Sequence, residues 1–218
     1  MKLGANDPWS EDQELLLKSW SEQASCFRWL HSKSANHFNW YNNLLTIPSI
    51  VLSTVSGSAN FLISGRDDEE DSYDWVIVTV GCINMFCAVL TSVNQFMRFG
   101  QKSEGHKKSA VAYGAFRRSI NIELSMPRGS RQAPAEILEK CKTEMDRLAE
   151  MSDDIPSDVL NRFNKKFEDV TNVSKPDITN GLHPVKIHKD ISHKASSPVK
   201  FSEGGSVEVE LSVIDTGN

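Results

Sequence analysis

The chain has 218 residues, 39% of them hydrophobic and 24% charged, with a formal net charge of −5. Its mean hydropathy of −0.38 is polar, yet roughly a fifth of the residues lie in two long apolar runs, so the average does not exclude a membrane protein. No P-loop, Rossmann fingerprint, HExxH, GxSxG or DNA-binding pattern is present, and outside one acidic loop no paired carboxylates stand in a catalytic motif. These absences exclude the recognisable enzyme and nucleic-acid-binding classes, so no catalytic, cofactor or metal residues are expected.

Residues 1–43 carry no cleavable signal pattern: Asp7, Glu11, Asp12 and Glu14 stand where a basic region would be needed, so insertion is expected to use the later apolar segments themselves. Ser10-Glu11-Asp12-Gln13 is a capping box, the hydroxyl of Ser10 set to accept a backbone N–H and Gln13 to reach back. Leu16, Trp20, Ala24, Phe27, Leu30 and Phe38 then mark one apolar stripe, predicting a long amphipathic helix on the cytosolic side. Trp40 and Tyr41 at its end suit the aromatic belt of a bilayer surface, with Tyr73 and Trp75 as the belt on the far side.

Residues 44–63 and 75–97 are uncharged runs of roughly 20 residues, each enough to cross a bilayer core of about 30 Å at about 1.5 Å per residue. A buried helix of a soluble protein normally carries charges on one face. Between the runs, residues 64–74 hold six acids (Asp67, Asp68, Glu69, Glu70, Asp71, Asp74) against Arg66, a balance of −5 that equals the charge of the whole chain. The expectation is an all-α, integral membrane protein with a two-helix transmembrane hairpin over 44–97. Arg28 and Lys33 before it, and Arg98, Lys102, Lys107, Lys108, Arg117 and Arg118 after it, place both termini in the cytosol. The basic cluster after the hairpin serves topology and headgroup contact, with recognition of a phosphorylated ligand as the alternative.

Within the spans, Thr46, Ser49, Ser53, Ser56 and Asn60 form a stripe of small and polar residues, and Gly81, Asn84, Ala88, Thr91 and Gln95 form another. Thr54 and Ser58 make a second small face on the first span. If the hairpin is symmetric about its loop, Gly57 meets the level of Gly81 and Thr54 that of Asn84. Such stripes either hold two helices together or line a water-filled path in a homo-oligomer, since two helices alone enclose no pore. Pro48 marks the start of the first span or acts as a hinge.

The helical pattern continues past Gly100 and Gly105 through Ala110, Tyr113, Phe116, Ile120 and Leu124, stopping at Pro127-Arg128-Gly129. His106 is expected to face solvent. Pro134 opens a helix with Ile137, Leu138, Cys141, Met145 and Leu148 on one side, and Val159, Leu160, Phe163, Phe167 and Val170 mark a last amphipathic segment. Together with the first helix these make a cytosolic helical bundle over 98–170. Residues 171–218 read as a disordered tail, whose Val207, Val209, Leu211 and Val213 alternate as a strand-forming segment would. His183, His188 and His193 recur there without cysteine or scaffold, and the four cysteines show no zinc spacing and are expected as thiols.

The order and spacing of IPSIVLSTVSGSANFL, VGCINMFCAVLTSVNQFMRF, YGAFRRSINIEL, PRGSR and IPSDVLNRF, behind an aromatic amphipathic helix, resembles the SLATT family across roughly residues 9–170. SLATT proteins are two-transmembrane effectors associated with SMODS nucleotidyltransferases and SLOG sensors. The resemblance implies an oligomeric effector that forms a pore or perturbs the membrane when a cytosolic sensor protein signals, and it offers no catalytic residues. The competing expectation is a membrane-anchored scaffold recruiting a soluble partner through its cytosolic helices and tail.

Overall fold

A computed structural model describes residues 9–64 and 74–180, and every regular element among them is helical. Helix α1 (Glu11–Ser64) is one unbroken helix of 54 residues, about 80 Å long. Helices α2 (Asp74–Met97) and α3 (Phe99–Ser125) return antiparallel alongside it, followed by a 3-10 turn at Arg128–Ser130 and helices α4 (Pro134–Met151), α5 (Ser157–Lys166) and α6 (Asp177–Asn180). Both α1 and the stretch Trp75–Ser125 contain segments long and apolar enough to cross a membrane. The acidic loop at 65–73 and residues 181–218, with the strand-forming segment and the three histidines, lie outside the described residues.

The start of α1 forms as its residues dictate. The N–H of Gln13 donates to Ser10 Oγ (3.2 Å) and the N–H of Ser10 to Gln13 Oε1 (3.0 Å), closing the capping box. Glu14, in the acidic first turn, accepts from Arg128 (2.8 Å) and Arg131 (2.5 Å), which holds its carboxyl down at about 2. Arg131 also lies over the ring of Trp9, whose indole N–H reaches the carbonyl of Gln132. These contacts clasp the lower end of α1 to the turn that follows α3.

Two apolar clusters lie beneath the hairpin. Leu17, Ala24, Tyr113, Phe116, Ile120, Ile137, Cys141 and Leu148 form the first, joining α1, α3 and α4. Cys26, Leu30, Val159 and Phe163 form the second, joining α1 and α5. The inward stripe of α1 is one position away from the expected one at its start: Leu17 is fully buried and Leu16 is 43% exposed. Ser21 and His31 are inside too, because α3 offers them polar partners.

Three sequence expectations are corrected. Pro48 neither starts nor breaks a helix. It lies inside α1, on the exposed side, while the neighbouring Ser49 hydroxyl donates to the carbonyl of Leu45 (2.8 Å). The helix after the second span does not simply continue: Arg98 adopts a left-handed conformation (φ 53, ψ 38) that divides α2 from α3, while Gly100 and Gly105 are helical. A non-glycine residue there costs about 1–2 kcal/mol, which the flanking packing must supply. Finally, residues 171–180 belong to the body rather than to a tail. Val173 packs on the second cluster, Ser174 N–H donates to Glu22 Oε2 (2.8 Å), and Lys175 Nζ donates to the carbonyl of Phe167 (2.6 Å). Polar contacts rather than an apolar period hold this segment, so periodicity did not reveal it.

Candidate functional site

The contact between α1 and α2 is a seam of alternating three- and four-residue steps. Leu45, Ser49, Leu52, Ser56, Ala59 and Ile63 turn inward from α1, and Val76, Val80, Ile83, Cys87, Leu90 and Asn94 from α2. On α1 the small residues Ser49, Ser56 and Ala59 alternate with Leu45, Leu52 and Ile63, and small residues at a seam let the backbones of two helices approach. Among the described residues three hydrogen bonds cross the seam: Ser56 Oγ to Asn84 Oδ1 (2.7 Å), and Asn94 Nδ2 to Thr46 Oγ1 (2.9 Å) and to Asn42 Oδ1 (3.3 Å). The partners lie almost equally far from the middle of the loop, the symmetric register expected from the sequence.

The register holds, but the rotation differs. Thr46, Ser49 and Ser56 belong to the seam as expected, whereas Ser53, Thr54, Gly57 and Asn60 are exposed. On α2 the whole expected stripe of Gly81, Asn84, Ala88, Thr91 and Gln95 is exposed, because the residues one position earlier turn inward. Asn84 reaches the seam only with its side-chain oxygen. A Cβ added to Gly57 or Gly81 would meet nothing within 4 Å, so the two glycines do not pack against each other. Asn94, which sequence reading passed over, is the seam's polar anchor, and its Oδ1 is buried without a partner.

This rotation has a geometric result. Each step along an α-helix turns the side chain by about 100°, and antiparallel neighbours turn in opposite senses when viewed from one end. Positions one residue after the seam on α1 and on α2 therefore emerge on the same side of the pair. Ser53, Gly57 and Asn60 join Gly81, Asn84, Ala88, Thr91 and Gln95 on one mainly small and polar face, interrupted by Ile50 and Ile77 and exposed throughout. Positions one residue before the seam emerge on the other side, where Leu44, Val51, Val55, Phe86 and Val93 stand exposed. Beyond the polar face, an open groove of about 560 Å³ runs over Ser53, Thr54, Gly57 and Ser58. Thr54 and Ser58 satisfy their hydroxyls on the carbonyls of Ile50 and Thr54, so neither leaves a stranded donor on that surface.

Below the hairpin the basic residues Arg98, Lys102, Lys107, Lys108, Arg117 and Arg118 are all exposed. His106 is not: it is 1% exposed, its Nδ1 2.8 Å from Nδ1 of the equally buried His31, one ring donating and the other accepting. Tyr113 stacks on His31 and Phe38 on His106, closing the pair between aromatic planes. Burial, with His106 adding to it, lowers His31 to about 4. Burial lowers His106 also, against the opposing pull of Asp153, and His106 Nε2 has no partner. The signal available in the sequence was that His31 and His106 lie equally far from the loop on two helices expected to run antiparallel.

No protein-family model, curated protein or solved structure matches this chain, so its assignment rests on the geometry above.

Proposed function

We propose that the chain is a multi-pass integral membrane protein with both termini cytosolic that assembles as a homo-oligomeric, pore-forming effector. One observation supports the reading: after the hairpin has packed, most of the remaining small and polar side chains of both helices gather on one face, which also carries Ile50 and Ile77, while large apolar ones predominate on the other beside Ser58, Thr79 and Cys82. An anchor needs no such division, because lipid favours apolar side chains all round. Polar groups facing hydrocarbon are costly, whereas copies packed side by side with their polar faces inward give Asn84, Thr91 and Gln95 water or one another as partners. Gly57 and Gly81, with open space around them, let neighbouring backbones approach. The cytosolic body gates the assembly through the left-handed turn at Arg98, and a cytosolic sensor protein supplies the signal, as the likeness to SLATT effectors implies.

The test is conductance of the purified chain in liposomes, with oligomeric state measured in parallel. Gly57→Leu and Gly81→Leu should reduce assembly, and Asn84→Leu should change conductance while assembly persists. Function that survives replacement of residues 44–97 by an unrelated hairpin would refute the pore and leave the scaffold. Orientation has its own check. Asn172, in an Asn-Val-Ser sequon, is exposed and should remain unglycosylated in a microsomal translation assay.

A further inference from the structure

We propose that the cleft between α1 and α3 is a binding site for a phosphate-bearing ligand, a feature that stands apart from the pore reading. The cleft has a volume of about 450 Å³, and its lining includes Arg28 and Ser32 from α1 with Lys107, Gly114 and Arg118 from α3. Three cations and no carboxylate line it. Among the described residues none of the three cations has an ion-pair partner, although five ion pairs tie up lysines and arginines elsewhere on the body.

Gly114 makes the convergence possible. It is buried in the middle of α3, where glycine weakens a helix relative to alanine. The position that its Cβ would take lies 3.3 Å from Arg28 Cδ, 3.4 Å from Arg28 Nε and 3.7 Å from Arg118 Nη1. The stem of Arg28 therefore lies flat across α3 and brings its guanidinium beside that of Arg118. Two guanidiniums that share one small space repel each other unless an anion bridges them, and a phosphate matches their paired N–H donors. No aromatic ring lines the cleft, so it offers charge and the polar Ser32 and Asn36 but no surface for stacking a ring. Arg28 lies roughly 24 Å down α1 from residue 44 at about 1.5 Å per residue, and the headgroup layer is only about 5–7 Å thick. That depth favours a soluble phosphate over a lipid headgroup.

Titration of the full-length chain in nanodiscs with inorganic pyrophosphate, followed calorimetrically against sulfate at matched ionic strength, tests the site. Pyrophosphate should bind more tightly than sulfate, and Arg28→Gln and Arg118→Gln should each weaken it about tenfold or more. Lys33→Gln, whose side chain lines a different cleft of α1, should leave it unchanged. All three residues are exposed, so melting curves should show the variants folded. Nanodiscs containing phosphatidic acid separate the sources: displacement of pyrophosphate assigns the site to a headgroup, and retention assigns it to a soluble ligand. Equal affinity for sulfate and pyrophosphate, or affinity unchanged in both arginine variants, overturns the proposal.

Discussion

The two halves of α1 belong to one uninterrupted helix yet obey opposite rules of exposure. In the lower half, Leu17 and Leu30 are fully buried while Arg28 and Lys33 face outward. In the upper half, Ser49 and Ser56 are the buried residues, while Val55 is 60% and Phe61 82% exposed. The lower half is sorted by water: at about 25 cal/mol per Å², apolar area turned inward outweighs the alternatives. In the upper half the most buried positions are small hydroxyls and large aliphatics stand outside, the reverse of what water selects. Such sorting belongs to a medium as apolar as leucine. The contrast within a single helix supports membrane insertion better than length and hydropathy do, since a buried soluble helix meets those criteria as well.

The comparison can be broken most sharply in the lower half. Leu30→Ala should destabilise the body by about 2–5 kcal/mol, as large-to-small changes in a packed core do, and leave membrane association unchanged. Denaturant melts paired with a flotation assay would read both. In the upper half, Val55→Arg puts a charge on the exposed apolar face. It should cost about 2.5–3.5 kcal/mol of insertion if that face meets lipid, and close to nothing if it meets water. Carbonate extraction of membranes distinguishes these outcomes directly.

Acid should affect the body before the hairpin. His31 is neutral when folded, and its folded value of about 4 is below the ordinary 6.5. The unfolded chain therefore binds the extra proton first, so this contribution is complete above about 6.5 and is lost as pH falls toward 4, on the order of 3 kcal/mol. Glu14, held at about 2 against an ordinary 4.5, loses its contribution in a lower window, as pH falls from 4.5 toward 2. Melts of the wild type and of His31→Phe across pH 4–7 should show the upper window shrink in the variant, with the part due to buried His106 remaining. The smallest effect belongs to the seam: Ser56→Ala should weaken hairpin packing by about 0.6–2 kcal/mol through loss of the bond to Asn84. A steric-trap or detergent-titration measurement would detect it, and no change would mean that Asn84 finds another partner.

Helix ends were the most legible part of the fold, because local chemistry sets them. Ser10 and Gln13 cap α1, Pro134 opens α4, and the break at residues 152–156 precedes α5. The antiparallel register was legible too, since a short loop leaves little freedom in how two helices return past each other. The buried histidine pair was not, because a polar residue reads as a surface residue until its partner on another helix is known. Nor was the turn at Arg98. Nothing about arginine favours a left-handed conformation, and the packing of Ser103 on the carbonyl of Ala35 and of His106 on His31 is what draws α3 against α1 there.

By itself the sequence determined two apolar runs around an acidic loop, the caps and prolines that bound the helices, and the depth at which residues of one span face those of the other. These follow from hydropathy, turn chemistry and chain length, all local or one-dimensional quantities. Tertiary structure decided which side of each span turns inward. Neighbouring rows on α2, one small and polar and the next aliphatic, lie only about 100° apart, and in the bilayer proposed for the hairpin no hydrophobic gradient selects between them. The shapes of two facing helices make that choice, and they leave the polar row of each span together on one outer face.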